Sequence, residues 1–190
     1  MTFIDISDLL YKNSNEINFG KKEVWESDTF TSIWFSNLNI IKPNSAGLYW
    51  FLTNSNFTNI KKPTSLPDNG CDFQETTLKN INTFPDNLLS RPSKSGLKVI
   101  YNGHEKNVMS RVRQHFSLSN NRTGALGIKH YSLSNQDWVL RYFTSMDIKR
   151  LKINKTDGDL ITKLLDNKTG RTALENAWRI KNGWPVLCKE

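Results

Sequence analysis

Tyr101-Asn102-Gly103-His104-Glu105-Lys106, with the stretch that follows it, holds the residues whose types and spacing best suit chemistry. Val108, Val112 and Phe116 recur at i, i+4 and i+8 with Met109 beside them. This predicts a helix from about Asn107 to Phe116, with Asn107 as its N-cap and one stripe facing a core. Arg111 and His115 lie four residues apart on that helix, on a face offset from the apolar stripe, so both side chains can reach a cleft. A guanidinium that holds a phosphate beside an imidazole suits phosphoryl transfer, where positioning and charge neutralisation carry most of the catalysis. The plainer alternative for the same residues is a solvated basic helix face beside a buried tyrosine.

The elements that must position this group follow from the pattern of the chain. Leu97–Tyr101 reads as a strand turned by Asn102-Gly103, and Ser45–Leu52 as a short aromatic strand after Pro43. Trp138–Thr144 reads as a third strand. Helices are expected at Ile4–Tyr11, Asp159–Leu165 and Thr172–Lys181, the last stopped by Asn182-Gly183 and Pro185. Weaker signals suggest a helix within Thr76–Ile81, a short helix at Thr123–His130 and an extended piece around Thr31–Phe35. Residues 53–96 hold four of the six prolines and read as a long irregular insertion, which in a compact domain is often functional. The fold class expected is α+β, one domain with a small three-stranded antiparallel sheet flanked by helices. Residues 1–46 form an N-terminal extension and 47–190 the core.

Two further pieces carry chemistry-bearing residues. Gly47-Leu48-Tyr49 puts a second tyrosine on a strand able to lie beside that of Tyr101, although Tyr49 in an apolar run also fits a core aromatic. Ala173-Leu174-Glu175-Asn176-Ala177-Trp178 puts a carboxylate on the last helix, where Thr172-Ala-Leu-Glu175 also fits a capping box. His104 fits a turn residue as well as a proton carrier, and His130 a surface residue more than a phosphate contact.

This ordered set resembles the GIY-YIG nuclease family. Gly47-Leu48-Tyr49 is similar to the first family tripeptide and Tyr101-Asn102-Gly103 to the second, with Arg111 at the family arginine, His115 at its common histidine and Glu175 at its metal-binding glutamate. The resemblance spans about residues 46–188 and is carried by 47–52, 97–116 and 172–188. It implies a single Mg²⁺ on Glu175, with Mn²⁺ able to substitute, polarising a scissile phosphate. Arg111 would hold a non-bridging oxygen, Tyr49 would activate water, and Tyr101 would hydrogen-bond water or phosphate. His104 is the second choice for proton transfer, and Lys106 matches a basic position of the family. Three features depart from the pattern: the tyrosines stand 52 positions apart, Asn102 replaces an aliphatic residue, and the terminal asparagine has only Asn182 or Cys188 near its place.

Composition fits that expectation. Lys and Arg number 26 against 18 Asp and Glu, a formal charge of +8, with a pI near 9.5. Such an excess suits a polyanion, nucleic acid being the commonest. Cys71 and Cys188 lack metal-ligand spacing and read most plainly as free thiols in a reducing compartment, a single disulfide being the alternative. The start MTFIDISDLLYKN lacks the form of a signal peptide, and no stretch approaches the roughly 18 apolar residues of a membrane span, so a cytoplasmic protein is expected. With no separate DNA-locating domain expected, recognition falls to residues 1–46, to the insertion or to homodimerisation. That points to a type II restriction endonuclease acting on double-stranded DNA. Lys61, Lys62, Arg91, Lys94 and Lys98 are candidate phosphate contacts, or equally a solvated loop. The alternatives are a GIY-YIG nuclease of phage or mobile-element type without strict sequence recognition, and a noncatalytic DNA-binding module.

Overall fold

The computed structural model describes residues 1–18, 45–117, 124–131 and 138–189. Its elements in chain order are α1 (Phe3–Lys12), β1 (Asn15–Asn18), β2 (Gly47–Thr53), α2 (Phe73–Thr83), β3 (Lys98–Glu105), α3 (Val108–Ser117), β4 (Trp138–Thr144), α4 (Lys155–Asp166) and α5 (Lys168–Asn182). The fold is α+β. The strands form one antiparallel sheet in the order β1-β4-β2-β3, so four strands replace the three expected. The added strand is polar, with only Ile17 buried, and it gains its place by pairing with β4.

β2 is buried along its whole length because both of its faces are covered. Tyr49 and Phe51 point into one core with Val108, Val112 and Phe116 of α3, while Leu48, Trp50 and Leu52 point into a second with residues of α1, α4 and α5. Period-two alternation therefore sorts one apolar run into two cores. Residues 1–18 are built into this arrangement through Ile6 and Leu10 in the second core and Ile17 in the first.

Each helix that matters to the site has a local cause. Asn107 Oδ1 accepts from Ser110 N at 3.0 Å and caps α3 as its sequence suggests. α5 starts earlier than expected, because Asn167 accepts from Thr169 N at 2.8 Å and acts as N-cap. Thr172 then lies inside the helix with its hydroxyl on Lys168 O, so the capping-box reading of Thr172 and Glu175 is overturned. β3 does not turn at Asn102-Gly103. It stays paired with β2 through Glu105.

Within the insertion, the weak signal at Thr76–Ile81 belongs to the longer α2, capped by Asp72. Of the helix expected at Thr123–His130, the described part holds only a 3₁₀ turn at Ile128–His130, preceded by Gly127 at φ 68°. The extended piece expected at Thr31–Phe35 lies outside the described residues. Among the described residues, no helix is long and apolar enough to cross a membrane.

β3 is the terminal strand of the sheet, and the segment after α5 runs along it. Leu187 N donates to Ile100 O at 2.9 Å, and Asn80 Nδ2 of α2 donates to the carbonyls of Val186 and Cys188, both at 2.9 Å. This edge, with α3 on one face of the sheet and α5 on the other, is where the chemistry-bearing side chains meet.

Candidate active site

Tyr49 stands opposite Gly103 in the β2–β3 register, and its ring lies over that glycine. A Cβ at residue 103 would stand 2.5 Å from Tyr49 Oη and 2.7 Å from its Cζ, so only glycine leaves room for the phenol. Gly47 has a comparable reason, since a Cβ there would collide with the backbone carbonyl of Phe143 on β4. The Tyr101 ring stacks beside Tyr49 with centroids 6.3 Å apart and planes 26° apart. The two tyrosines thus share one face of the sheet, as strand pairing requires.

α3 supplies the partner of the buried phenol. His115 is fully buried, and its Nε2 lies 2.8 Å from Tyr49 Oη. Its other ring nitrogen, Nδ1, accepts from Leu126 N at 3.2 Å. An acceptor Nδ1 on a neutral imidazole places the proton on Nε2, so His115 donates to the phenol oxygen. Burial, and after it the Arg111 charge, holds the His115 pKa well below the usual value and keeps the ring neutral. His115 is therefore not a base toward Tyr49. It is a fixed donor that would stabilise negative charge on Oη.

That stabilisation acts against burial, which pushes both the Tyr49 and the Tyr101 phenol up. The Arg111 guanidinium faces both phenols and pulls in the opposite direction. Arg111 is positioned by Nη1 donating to Gln114 Oε1 and Nη2 donating to Gly124 O, each at 3.2 Å.

Glu175 approaches from α5, around the β3 edge. It lines a cavity of about 400 Å³ together with Tyr101, Arg111, Arg179, Leu126 and Cys188. Arg179, one turn on, donates to Glu175 Oε1 and, through Nε, to Asn102 Oδ1 at 2.9 Å. His104 Nε2 lies 3.6 Å from Glu175 Oε2 and 3.0 Å from Thr172 Oγ1. Burial raises the Glu175 carboxyl, and Arg179 partly offsets this. Burial, followed by the Arg171 charge, lowers His104 to about 4, so this imidazole is neutral near neutral pH.

Glu175 is the one carboxylate among the residues lining this cavity, and among the described residues no group of three or more His, Cys, Asp and Glu could hold a metal ion. A hard cation such as Mg²⁺ tolerates one carboxylate when waters and substrate phosphate oxygens complete its shell. Glu175 could supply that one carboxylate to Mg²⁺ or Mn²⁺, the remaining ligands having to come from water and a phosphate.

Tyr101, Arg111 and Glu175 thus share one cavity, with Tyr49 and His115 directly behind, and His104 touches Glu175 from its other oxygen. Lys106 is exposed and borders a hollow of about 600 Å³ with Arg111 and Gln114. Lys61, Lys62, Arg91 and Lys94 are exposed on the β2–β3 connection, and Lys98 is half-buried at the start of β3. None of these five lines the cavity of Glu175. Asn182 caps its own helix by donating to Trp178 O at 3.0 Å and does not line that cavity either, whereas Cys188 does.

Sequence reasoning missed Arg179 and the role of Asn102. The i,i+4 spacing of Glu175 and Arg179 was the available signal for the first. For the second there was none, because the partners of Asn102 Oδ1 are distant in the chain: Arg179 Nε on α5 at 2.9 Å and Cys188 Sγ in the tail after it at 3.3 Å. No protein-family model, curated protein or solved structure matches this chain.

Proposed function

We propose that the chain is a metal-dependent DNA endonuclease of the GIY-YIG type that hydrolyses phosphodiester bonds, and specifically a type II restriction enzyme acting on double-stranded DNA as a homodimer. The observation that carries this reading is the convergence of Tyr101, Arg111 and Glu175 on one cavity, with Tyr49 and His115 hydrogen-bonded behind it. A basic chain of charge +8 suits the polyanionic substrate.

In this reading Arg111 binds a non-bridging oxygen of the scissile phosphate and Tyr101 orients the phosphate or the attacking water. Tyr49 would have to enter as the phenolate, which burial opposes and Arg111 and the His115 Nε2–H favour; that phenolate takes the proton as the water oxygen forms its bond to phosphorus and the P–O bond to the leaving strand breaks. The His115 Nε2–H donates to the phenol oxygen throughout and stabilises the phenolate on which the base role depends. Glu175 would hold the divalent ion, whose chemistry is Lewis acidity toward the phosphate.

One observation favours a second reading, a noncatalytic DNA-binding module: the Glu175 carboxylate is already paired with Arg179. A panel of unmethylated plasmids incubated with the purified protein separates the possibilities. Discrete fragments in Mg²⁺, absent with EDTA or with Glu175→Ala, are expected for a restriction enzyme. Smears or single-strand cutting would instead place it among GIY-YIG nucleases of phage or mobile-element type without strict sequence recognition. DNA binding without nicking in either Mg²⁺ or Mn²⁺ would leave only the binding module.

A further inference from the structure

Arg179 is gripped from three directions. Asn102 Oδ1 accepts from its Nε at 2.9 Å, Glu175 Oε1 accepts from its Nη2, and its guanidinium carbon lies 4.5 Å from the ring centroid of Trp184. Trp184 in turn stacks on Phe84, with centroids 5.0 Å apart and planes 21° apart. The side chains of Arg179 and Glu175 are only 11% and 13% exposed, so the pair lies largely out of water. A carboxylate in such a place without its cation would carry a heavy desolvation cost. Arg179 therefore favours the charged form of Glu175, against the burial that raises its carboxyl.

The same contact sets up a conflict with an ion. Glu175 is the one carboxylate among the residues lining its cavity, beside Arg111, Arg179 and Lys189, and a divalent cation brought to it meets the positive charge of Arg179 within contact distance. Binding a second cation to an already neutralised carboxylate is unfavourable unless new negative charge enters. Phosphate supplies that charge. Arg179 lines the 400 Å³ cavity with Tyr101 and Arg111, and it also borders the adjoining cleft of about 1050 Å³ formed with Phe84, Trp178 and Trp184. A guanidinium can exchange a carboxylate for a phosphate oxygen while keeping its charge and its planar fork of donors. The Nε bond to Asn102 and the Trp184 ring allow this exchange with little displacement of the side-chain stem.

We infer that Arg179 is a removable counter-charge and positioning residue: it occupies Glu175 in the DNA-free protein and passes to a backbone phosphate of bound DNA, so that a divalent ion gains the carboxylate only when the substrate is present. The inference rests on the nuclease reading for the role of Glu175. It goes beyond that reading by making ion binding and DNA binding mutually dependent through one side chain.

Mn²⁺ binding to the full chain, followed by the electron paramagnetic resonance signal of the free ion at mildly alkaline pH, tests this without relying on cleavage. DNA-free Arg179→Gln should bind Mn²⁺ about tenfold more tightly than wild type, the effect of one adjacent charge. Arg179→Lys should stay near wild type, and adding Glu175→Gln to Arg179→Gln should abolish the gain. On wild type, a short phosphorothioate duplex should tighten Mn²⁺ binding by a similar factor, and on Arg179→Gln it should add much less. The inference is overturned if Arg179→Gln binds no better than wild type, or if its gain survives loss of the Glu175 carboxylate. If Arg179→Gln does not fold, the wild-type titration decides, because a Mn²⁺ affinity indifferent to the duplex overturns the inference. Failure of the nuclease reading looks different: the Mn²⁺ pattern would hold while no plasmid is ever nicked.

Discussion

The two flanks of the β3 edge are built on opposite principles. On the α3 flank, Tyr49 is 1% exposed and His115 fully buried, both neutral, and each ring nitrogen of His115 has a hydrogen-bond partner. On the α5 flank, Glu175, Arg179 and His104 keep some contact with solvent, Glu175 and Arg179 form an ion pair, and among the described residues His104 Nδ1 is buried with no hydrogen-bond partner. A satisfied buried network fixes one geometry, whereas a partly satisfied charged one is set to rearrange. Under the nuclease reading, the α3 flank would hold a reacting oxygen in place, and the α5 flank would exchange charge when a phosphate arrives.

The widest expected effect comes from removing the one atom that makes the α3 flank more than a core. Tyr49→Phe keeps the ring over Gly103 and deletes only Oη. It leaves the His115 Nε2–H buried without its acceptor, at a cost of about 1–3 kcal/mol. Under the nuclease reading, the single-turnover cleavage rate should fall by about 10²–10⁴, the range of a lost general base. A variant that still cuts within about tenfold of wild type would show Tyr49 to be packing alone and would erase the contrast between the flanks.

Gly103→Ala probes the same flank through shape, with a smaller expected loss. The new methyl group would press on Tyr49 Oη and Cζ, and the ring cannot yield freely because His115 pins its hydroxyl. Overpacking of this kind costs about 1–3 kcal/mol, and misplacement of the phenol should slow cleavage by about tenfold to a hundredfold. Gly158→Ala is the matched control. It lies within α4 with nothing inside 4 Å of an added Cβ, and it should raise stability by up to about 1 kcal/mol in a thermal or urea melt. Equal behaviour of the two variants would mean that the Gly103 position is not constrained by the tyrosine.

What could be read from residues alone follows the same division. The α3 flank announced itself in part: Val108, Val112 and Phe116 gave the helix its core face, Asn107 its cap and the offset of Arg111 its direction, whereas His115, expected to reach a cleft as well, is fully buried between Tyr49 and Leu126. The α5 flank was legible only as one glutamate on an apolar helix. Thr172 and Glu175 matched a capping box by spacing, and the match failed because Asn167 captures the helix start one turn earlier. Gly103 was read as turn chemistry, whereas its missing side chain makes room for Tyr49 on the next strand, a reason carried by residue 49 and not by its neighbours. β1 offered only Ile17 as a buried residue, so the fourth strand had no hydrophobic pattern to betray it. Local patterns were visible in each case, and long-range pairing was not.

The smallest effect tests both flanks together through pH. His104 is lowered to about 4 and His115 well below the usual value, burial being the first cause of each. Unfolded histidine titrates near 6.5. As pH falls below that value the unfolded chain takes up protons that the folded chain refuses, so the stability from both rings is complete above about 6.5 and is lost as pH falls toward their folded values. Glu175 has the opposite sign. Its raised carboxyl is protonated in the folded state first, so its contribution is lost as pH rises through the folded value and regained on acidification. With His130 also lowered by burial, three imidazoles against the Glu175 carboxyl predict a lower urea midpoint at about pH 5 than at about pH 7. His104→Gln should shrink that difference by removing the α5-flank ring, while Glu175→Gln should widen it by removing the opposing group. A wild-type midpoint as high at the lower pH would mean that the rings are not held neutral, and the donor role of His115 toward Tyr49 would fall with it.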